Sequence, residues 1–134
     1  MQTAKVRWID KDLFLATTPS GHAVAFDSDR QRNTAPGPME MLLASLGSCT
    51  ATDVAIILEK KRQKLRALEV TISGERAPSA PTVWTNIEMV YRLEGELDEK
   101  AVKDAVELSQ TKYCSVAAML GQVAKITYRY EIVP

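Results

Sequence analysis

The alternation of apolar and polar positions changes period twice along the chain. From Ala4 to Ile9 the apolar residues Ala4, Val6 and Trp8 recur at every second position, and the shorter runs Leu13 to Thr17 and His22 to Phe26 follow. Period two marks a strand whose side chains alternate between its faces. Turn residues Asp10, Lys11 and Asp12, then Pro19, Ser20 and Gly21, separate the three runs. Together they predict an antiparallel meander. The polar segment Asp27 to Pro38, with two prolines and one glycine, is long for a hairpin loop and able to reach over a site.

The period then lengthens. Met39 to about Lys64 reads as one helix, with Pro38 suited to its first turn and Lys60, Lys61, Arg62 and Lys64 favourable at its C-terminal end. At 1.5 Å per residue this is about 36 to 39 Å long. Met39, Met41, Leu42, Leu43, Ala44 and Leu46, then Val54 to Leu58, leave it apolar nearly all round. Such a helix needs cover on every side, which predicts a second copy of the chain against it and hence a homodimer. Period two returns in Leu68 to Arg76 and Val83 to Leu93. Asp98 then N-caps a helix whose apolar face is Ala101, Val102, Ala105, Val106 and Leu108. A break is expected near Thr111 to Tyr113, with Ser115 capping a short helix over Val116 to Val123, and Ile126, Tyr128, Tyr130 and Ile132 alternate in a last strand. The order βββ-α-ββ-α-α-β is that of an α+β fold, a single domain over 1–134 with an antiparallel sheet around a long central helix.

Composition narrows the function. Seventeen Lys+Arg balance seventeen Asp+Glu, so no positive field collects a polyanion, and nucleic acid is not an expected partner. The first ten residues hold no apolar run of signal-peptide length, and Met39 to Leu58 is interrupted by Glu40, Ser45, Ser48, Thr50, Thr52 and Asp53. The expectation is a cytoplasmic protein with no membrane span. Two cysteines and one histidine make no closed four-ligand metal site, and in a reducing compartment they read as free thiols or a redox pair. No metal and no organic cofactor is expected.

Cys49 lies mid-helix between the small residues Gly47, Ser48, Thr50 and Ala51; these leave room either for a substrate or for close helix packing. Cys114 stands at a helix start after Lys112, where the dipole and an ammonium favour a thiolate. The two are 65 residues apart, so no C-x-x-C motif links them. His22 follows Gly21 in a turn and reads as an exposed loop residue. Trp8, Trp84 and the four tyrosines fall in strand patterns and read as core or sheet-face residues. Glu40, the one acid at the head of an apolar stretch, serves either the helix N-terminus or a cationic partner near a site.

The stretch APGPMEMLLASLGSCTATDVA at Ala35 to Ala55, together with KYCSVAAML at Lys112 to Leu120, resembles the family of osmotically inducible protein C and organic hydroperoxide resistance proteins (OsmC/Ohr). The resemblance runs through the order of elements over the whole chain. It implies an intertwined α+β homodimer with active sites at the subunit interface, and a thiol peroxidase in oxidative stress defence. The Cys49 thiolate would attack an organic hydroperoxide and become a sulfenic acid, Cys114 would resolve it to a disulfide, and an external dithiol would reduce that. In the family's peroxidases a Glu directly after the motif's Pro and an Arg in the first hairpin turn position the peroxide. Here Met39 follows Pro38, Glu40 is displaced by one, and the first turn has Lys11 without Arg. Glu40 with Arg7, Lys11, Arg30 or Arg32 are the stand-ins. The rival readings are a non-catalytic dimer binding a small apolar ligand in the interface cleft, and an acyl-thioester hydrolase, for which no carboxylate is well placed.

Overall fold

The computed structural model describes residues 1–134, in two units, Met1–Leu42 and Leu43–Pro134. In the first, β1 (Lys5–Asp10), β2 (Leu13–Thr17) and β3 (Ala23–Asp27) form the expected antiparallel meander. Trp8 stands opposite Phe14, and Phe14 opposite Phe26, an aromatic row of the kind that stabilises one face of a sheet. The Trp8 indole N–H donates to the Lys11 carbonyl at 2.8 Å. Trp8 is 64% exposed, so of the two expected places, core or sheet face, it takes the sheet face: a three-stranded sheet in one chain cannot cover both of its faces.

After β3 the chain closes around Asp27, whose side chain is fully buried. Its carboxylate accepts from Arg32 Nε at 3.0 Å, the Thr34 hydroxyl at 2.5 Å, and the backbone N–H groups of Asp29 at 2.9 Å and Thr34 at 3.3 Å. The Arg32 guanidinium and the Thr34 hydroxyl hold this carboxyl well below the usual carboxylate range. The long polar loop is therefore wound on an internal anion.

Helix α1 (Pro38–Lys60) opens with a capping box. Pro38 occupies its first turn, where no N–H is needed, and Glu40 reaches back to accept the Gly37 N–H at 2.8 Å. The helix stops four residues short of the expected Lys64. Arg62 adopts a left-handed conformation (φ 57°), its N–H bonds the Glu59 carbonyl at 2.9 Å and the Gln63 N–H bonds Leu58 at 2.9 Å. This is a Schellman termination built without glycine, so the sequence carries no stop signal there. Lys64, the expected end of the helix, instead starts a strand.

In the second unit β4 (Lys64–Arg76), β5 (Trp84–Glu96) and β6 (Lys125–Val133) form a sheet of order β4-β5-β6. β4 and β5 are antiparallel, but β6 runs parallel to β5, with Ile87 opposite Ile126 and Leu93 opposite Ile132. The expectation of a wholly antiparallel sheet is corrected here: α2 (Glu99–Leu108), a π-helical turn (Ser109–Tyr113) and α3 (Ser115–Leu120) carry the chain back, and such a crossover joins parallel strands. On β5 the buried residues Ile87, Met89, Tyr91 and Leu93 fall at period two. Each such side chain contributes about 1.5–3 kcal/mol by burial. The fold is α+β, as expected, with two three-stranded sheets rather than one.

α1 presents Leu46, Thr50, Val54 and Leu58 to this core, every fourth residue and all at 0% exposure. By length and hydropathy alone it could cross a membrane; the buried stripe makes it a core helix. Gly47 lets β4 approach, since a Cβ there would meet Ile72 Cδ1 at 2.6 Å. Other apolar residues stay uncovered in a single chain, Leu42 at 36% and Ile56 at 45% exposure.

Candidate thiol site

Four residues make slightly more than one helical turn, so Cys49 and Asp53 share a face of α1. The π turn brings the second thiol to them. It is closed by the Cys114 N–H bonding the Ser109 carbonyl five residues back at 2.8 Å, and it leaves Cys114 extended (φ −74°, ψ 100°) immediately before α3. Cys114, not Ser115, is the N-cap: its Sγ accepts the Ala117 N–H at 3.4 Å. The two sulfurs and an Asp53 carboxylate oxygen all lie within 4.8 Å of one another. Both cysteines are free; Cys114 is buried, while Cys49 and Asp53 are half-buried.

The local argument for a Cys114 thiolate is reversed by tertiary structure. Burial pushes its thiol up to about 11, the Ala117 N–H opposes this, and the Cys49 sulfur and Asp53 carboxylate add to the rise. One N–H at a helix start does not offset removal from water beside an acid. Cys114 is therefore a protonated thiol at neutral pH.

Asp53 ends a buried chain of polar groups that sequence reasoning did not assemble. The Gln110 amide donates to the Tyr91 hydroxyl at 2.5 Å, Tyr91 and Thr50 are 2.5 Å apart, Thr50 and Ser109 2.7 Å, and the Ser109 hydroxyl donates to Asp53 Oδ2 at 2.9 Å. A carboxylate only accepts, so Ser109 spends its proton on Asp53. Thr50 must then donate to Ser109, and Tyr91 to Thr50. All four bonds run one way, toward the thiols. Burial raises the Tyr91 phenol, with Thr50 and Gln110 opposing, which keeps it in the protonated form this direction needs. The i, i+4 spacing of Cys49 and Asp53 is the one sequence signal that could have found this polar chain; of the other partners Thr50 lies on α1, Tyr91 on β5, and Ser109 and Gln110 in the π turn.

The other candidates lie in the first unit. Glu40 accepts from Gly37 and faces Arg30 Nη1 at 3.4 Å, so it serves its helix start and a cation together. Arg30 also donates to the carbonyls of Asp27 and Ala35. Arg32 is committed to Asp27 and to Asp10, whose carboxylate is 3.5 Å away. Arg7 is exposed on β1 opposite Leu15, and Lys11 forms the first turn with φ 49°. His22 is exposed, as expected, with Nδ1 2.8 Å from the Ser20 hydroxyl.

Residues 31–129 match the family model described as OsmC-like protein. The chain belongs to the OsmC/Ohr family. Over 131 residues it is 42% identical to Protein YhfA of Escherichia coli K12, with 97% of each chain aligned. Among solved structures it is similar to a hypothetical protein from Aquifex aeolicus, at 32% identity and TM-score 0.85, covering 100% of this chain and 98% of that one. An organic hydroperoxide resistance protein from Elizabethkingia anophelis shares the fold at 10% identity, TM-score 0.71, covering 97% and 94%. Cys49 and Cys114, one from each of the two stretches that carry the resemblance, lie together with Asp53 beside them.

Proposed function

We propose that the protein is a thiol-dependent peroxidase that reduces organic hydroperoxides in oxidative stress defence. The observation that carries this reading is the approach of the Cys49 and Cys114 sulfurs within one cluster less than 4.8 Å across. The Cys49 thiolate attacks the distal oxygen of ROOH. The O–O bond breaks, the alcohol leaves with a proton, and Cys49 becomes a sulfenic acid. The Cys114 sulfur then displaces water from it, forming the disulfide, and an external dithiol returns both thiols. Cys114 gives up its proton as it attacks, and that proton leaves in the displaced water; the less buried Cys49 suits the first attack.

A groove of about 370 Å³ lined by Asp53, Ile56, Ile57, Lys60, Leu108 and Tyr113 offers an apolar surface for the organic part of such a substrate. Glu40 and Arg7 are the proposed positioning groups. The protein acts as an intertwined homodimer in the cytoplasm, where the cysteines are kept reduced between turnovers. The uncovered apolar residues Trp8 at 64% and Ile56 at 45% exposure support a second copy.

The test is mass spectrometry and thiol counting after one equivalent of cumene hydroperoxide. Loss of both thiols with a Cys49–Cys114 disulfide is expected, Cys49→Ser being inert and Cys114→Ala accumulating oxidised Cys49. Survival of both thiols in excess peroxide would remove catalysis and leave a binding module.

A further inference from the structure

We propose that Cys49, Asp53 and Cys114 also form a three-ligand site for a thiophilic divalent cation, with Zn²⁺ as the biological occupant. The three donor atoms lie within 4.8 Å of one another, a spread that one ion can bridge. Two sulfurs and one carboxylate oxygen are a donor set that suits Zn²⁺ and excludes the hard cations Mg²⁺ and Ca²⁺. Three protein ligands with a fourth position open is the arrangement of reactive rather than purely structural zinc sites.

The surroundings are built for a ligand role. Ser109 donates to Oδ2 of Asp53 at 2.9 Å, which fixes the carboxylate's rotation and leaves its other oxygen for an ion. Thr50, Tyr91 and Gln110 hold Ser109 in turn. Outer hydrogen bonds of this kind orient metal ligands and are worth about 10–100-fold in affinity. Cys49 and Asp53 come from one helix face and Cys114 from the start of another, so the ligands arrive preorganised from two rigid elements. Asp53 also lines a groove that carries Lys60 and Lys61, and two thiolates with a carboxylate around a dication leave one negative charge.

The chemistry balances without any change of oxidation state. Two S–H bonds break, two metal–sulfur bonds form, and two protons leave for each ion taken up. The same sulfurs joined as a disulfide have no thiolate to offer. Metal uptake and disulfide formation are therefore mutually exclusive states of one site.

Co²⁺ is the probe, titrated without oxygen into the reduced full-length protein with no peroxide present, so the result is independent of peroxidase activity. One equivalent per chain is expected to give thiolate-to-cobalt charge-transfer bands, the intense visible bands of four-coordinate Co²⁺, and release of two protons. Zn²⁺ should erase the bands. Asp53→Asn should weaken binding at least about tenfold, either cysteine→Ser should lose about half of the charge-transfer intensity, and His22→Asn should change nothing. Weak six-coordinate bands in the wild type, unchanged affinity in Asp53→Asn, or full binding by the disulfide form would each overturn the assignment. Should Asp53→Asn fail to fold, the wild-type spectrum and proton count still decide.

Discussion

Two aspartates divide the work of this molecule, and what separates them is their donors. Asp27 in the first unit is fully buried and takes hydrogen bonds from a guanidinium, a hydroxyl and two backbone N–H groups. Its charge is consumed in holding a loop. Asp53 in the second unit is half-buried, accepts one neutral hydroxyl, and shares its space with two thiols. Its remaining lone pairs are available. One residue type becomes a structural anchor or a reactive ligand according to how completely its oxygens are satisfied.

The comparison is most readily broken at Asp27. Asp27→Ala should give the largest fall in thermal midpoint of any variant named here, because Arg32 and Thr34 lose their acceptor together. The pH dependence has a definite sign. The folded chain holds the Asp27 proton less tightly than the unfolded chain, so its contribution is present above the ordinary carboxylate range and is lost as pH falls below it. Urea melts of Asp27→Asn should therefore be flatter through the acid range than those of the wild type. A parallel displacement of the two curves would contradict the anchor.

Next in size is the reactivity of Cys114. In Cys49→Ser, which keeps the burial but loses the share of the rise due to the Cys49 sulfur, alkylation of Cys114 should still run slower at pH 7 than for an ordinary thiol and climb well into the alkaline range. A plateau at neutral pH would mean that its burial is not what governs it. Tyr91→Phe should follow, costing about 1–3 kcal/mol in urea unfolding, since Thr50 and Gln110 each lose a buried partner. The smallest effect belongs to Asp53→Asn, under about 1 kcal/mol. An amide keeps an oxygen for Ser109, and no cation is stranded. A loss at Asp53 equal to that at Asp27 would erase the distinction between them.

Much of the frame was legible because it rests on local pattern. The period-two run of β5 and the amphipathic stretch of α2 are each written in one segment, as is the N-cap Asp98, whose carboxylate accepts the Ala101 N–H at 3.2 Å. The end of α1 was not legible, because Arg62 takes a left-handed conformation that glycine usually advertises. The direction of β6 was hidden for another reason, as alternation fixes a strand's faces and not its neighbour. At the site, both cysteines could be named from their motifs. Asp53 read only as a polar interruption of an apolar helix, since the hydroxyl that orients it lies 56 residues away. Tyr91 read as one more strand aromatic until Thr50 was found 2.5 Å from it.

The π turn makes chain length itself a functional quantity. One backbone hydrogen bond closes the loop from Ser109 to Cys114, so the hydroxyl that steers Asp53 and the thiol that faces it are set by one ruler of four intervening residues. Adding or deleting a residue there would move one relative to the other, whereas the same change in a surface hairpin would be absorbed. The site can thus be written as two spacings, Cys-x-x-x-Asp on one helix and Ser-x-x-x-x-Cys at the start of another. A related chain that keeps both would retain the geometry even where little else in its sequence agrees.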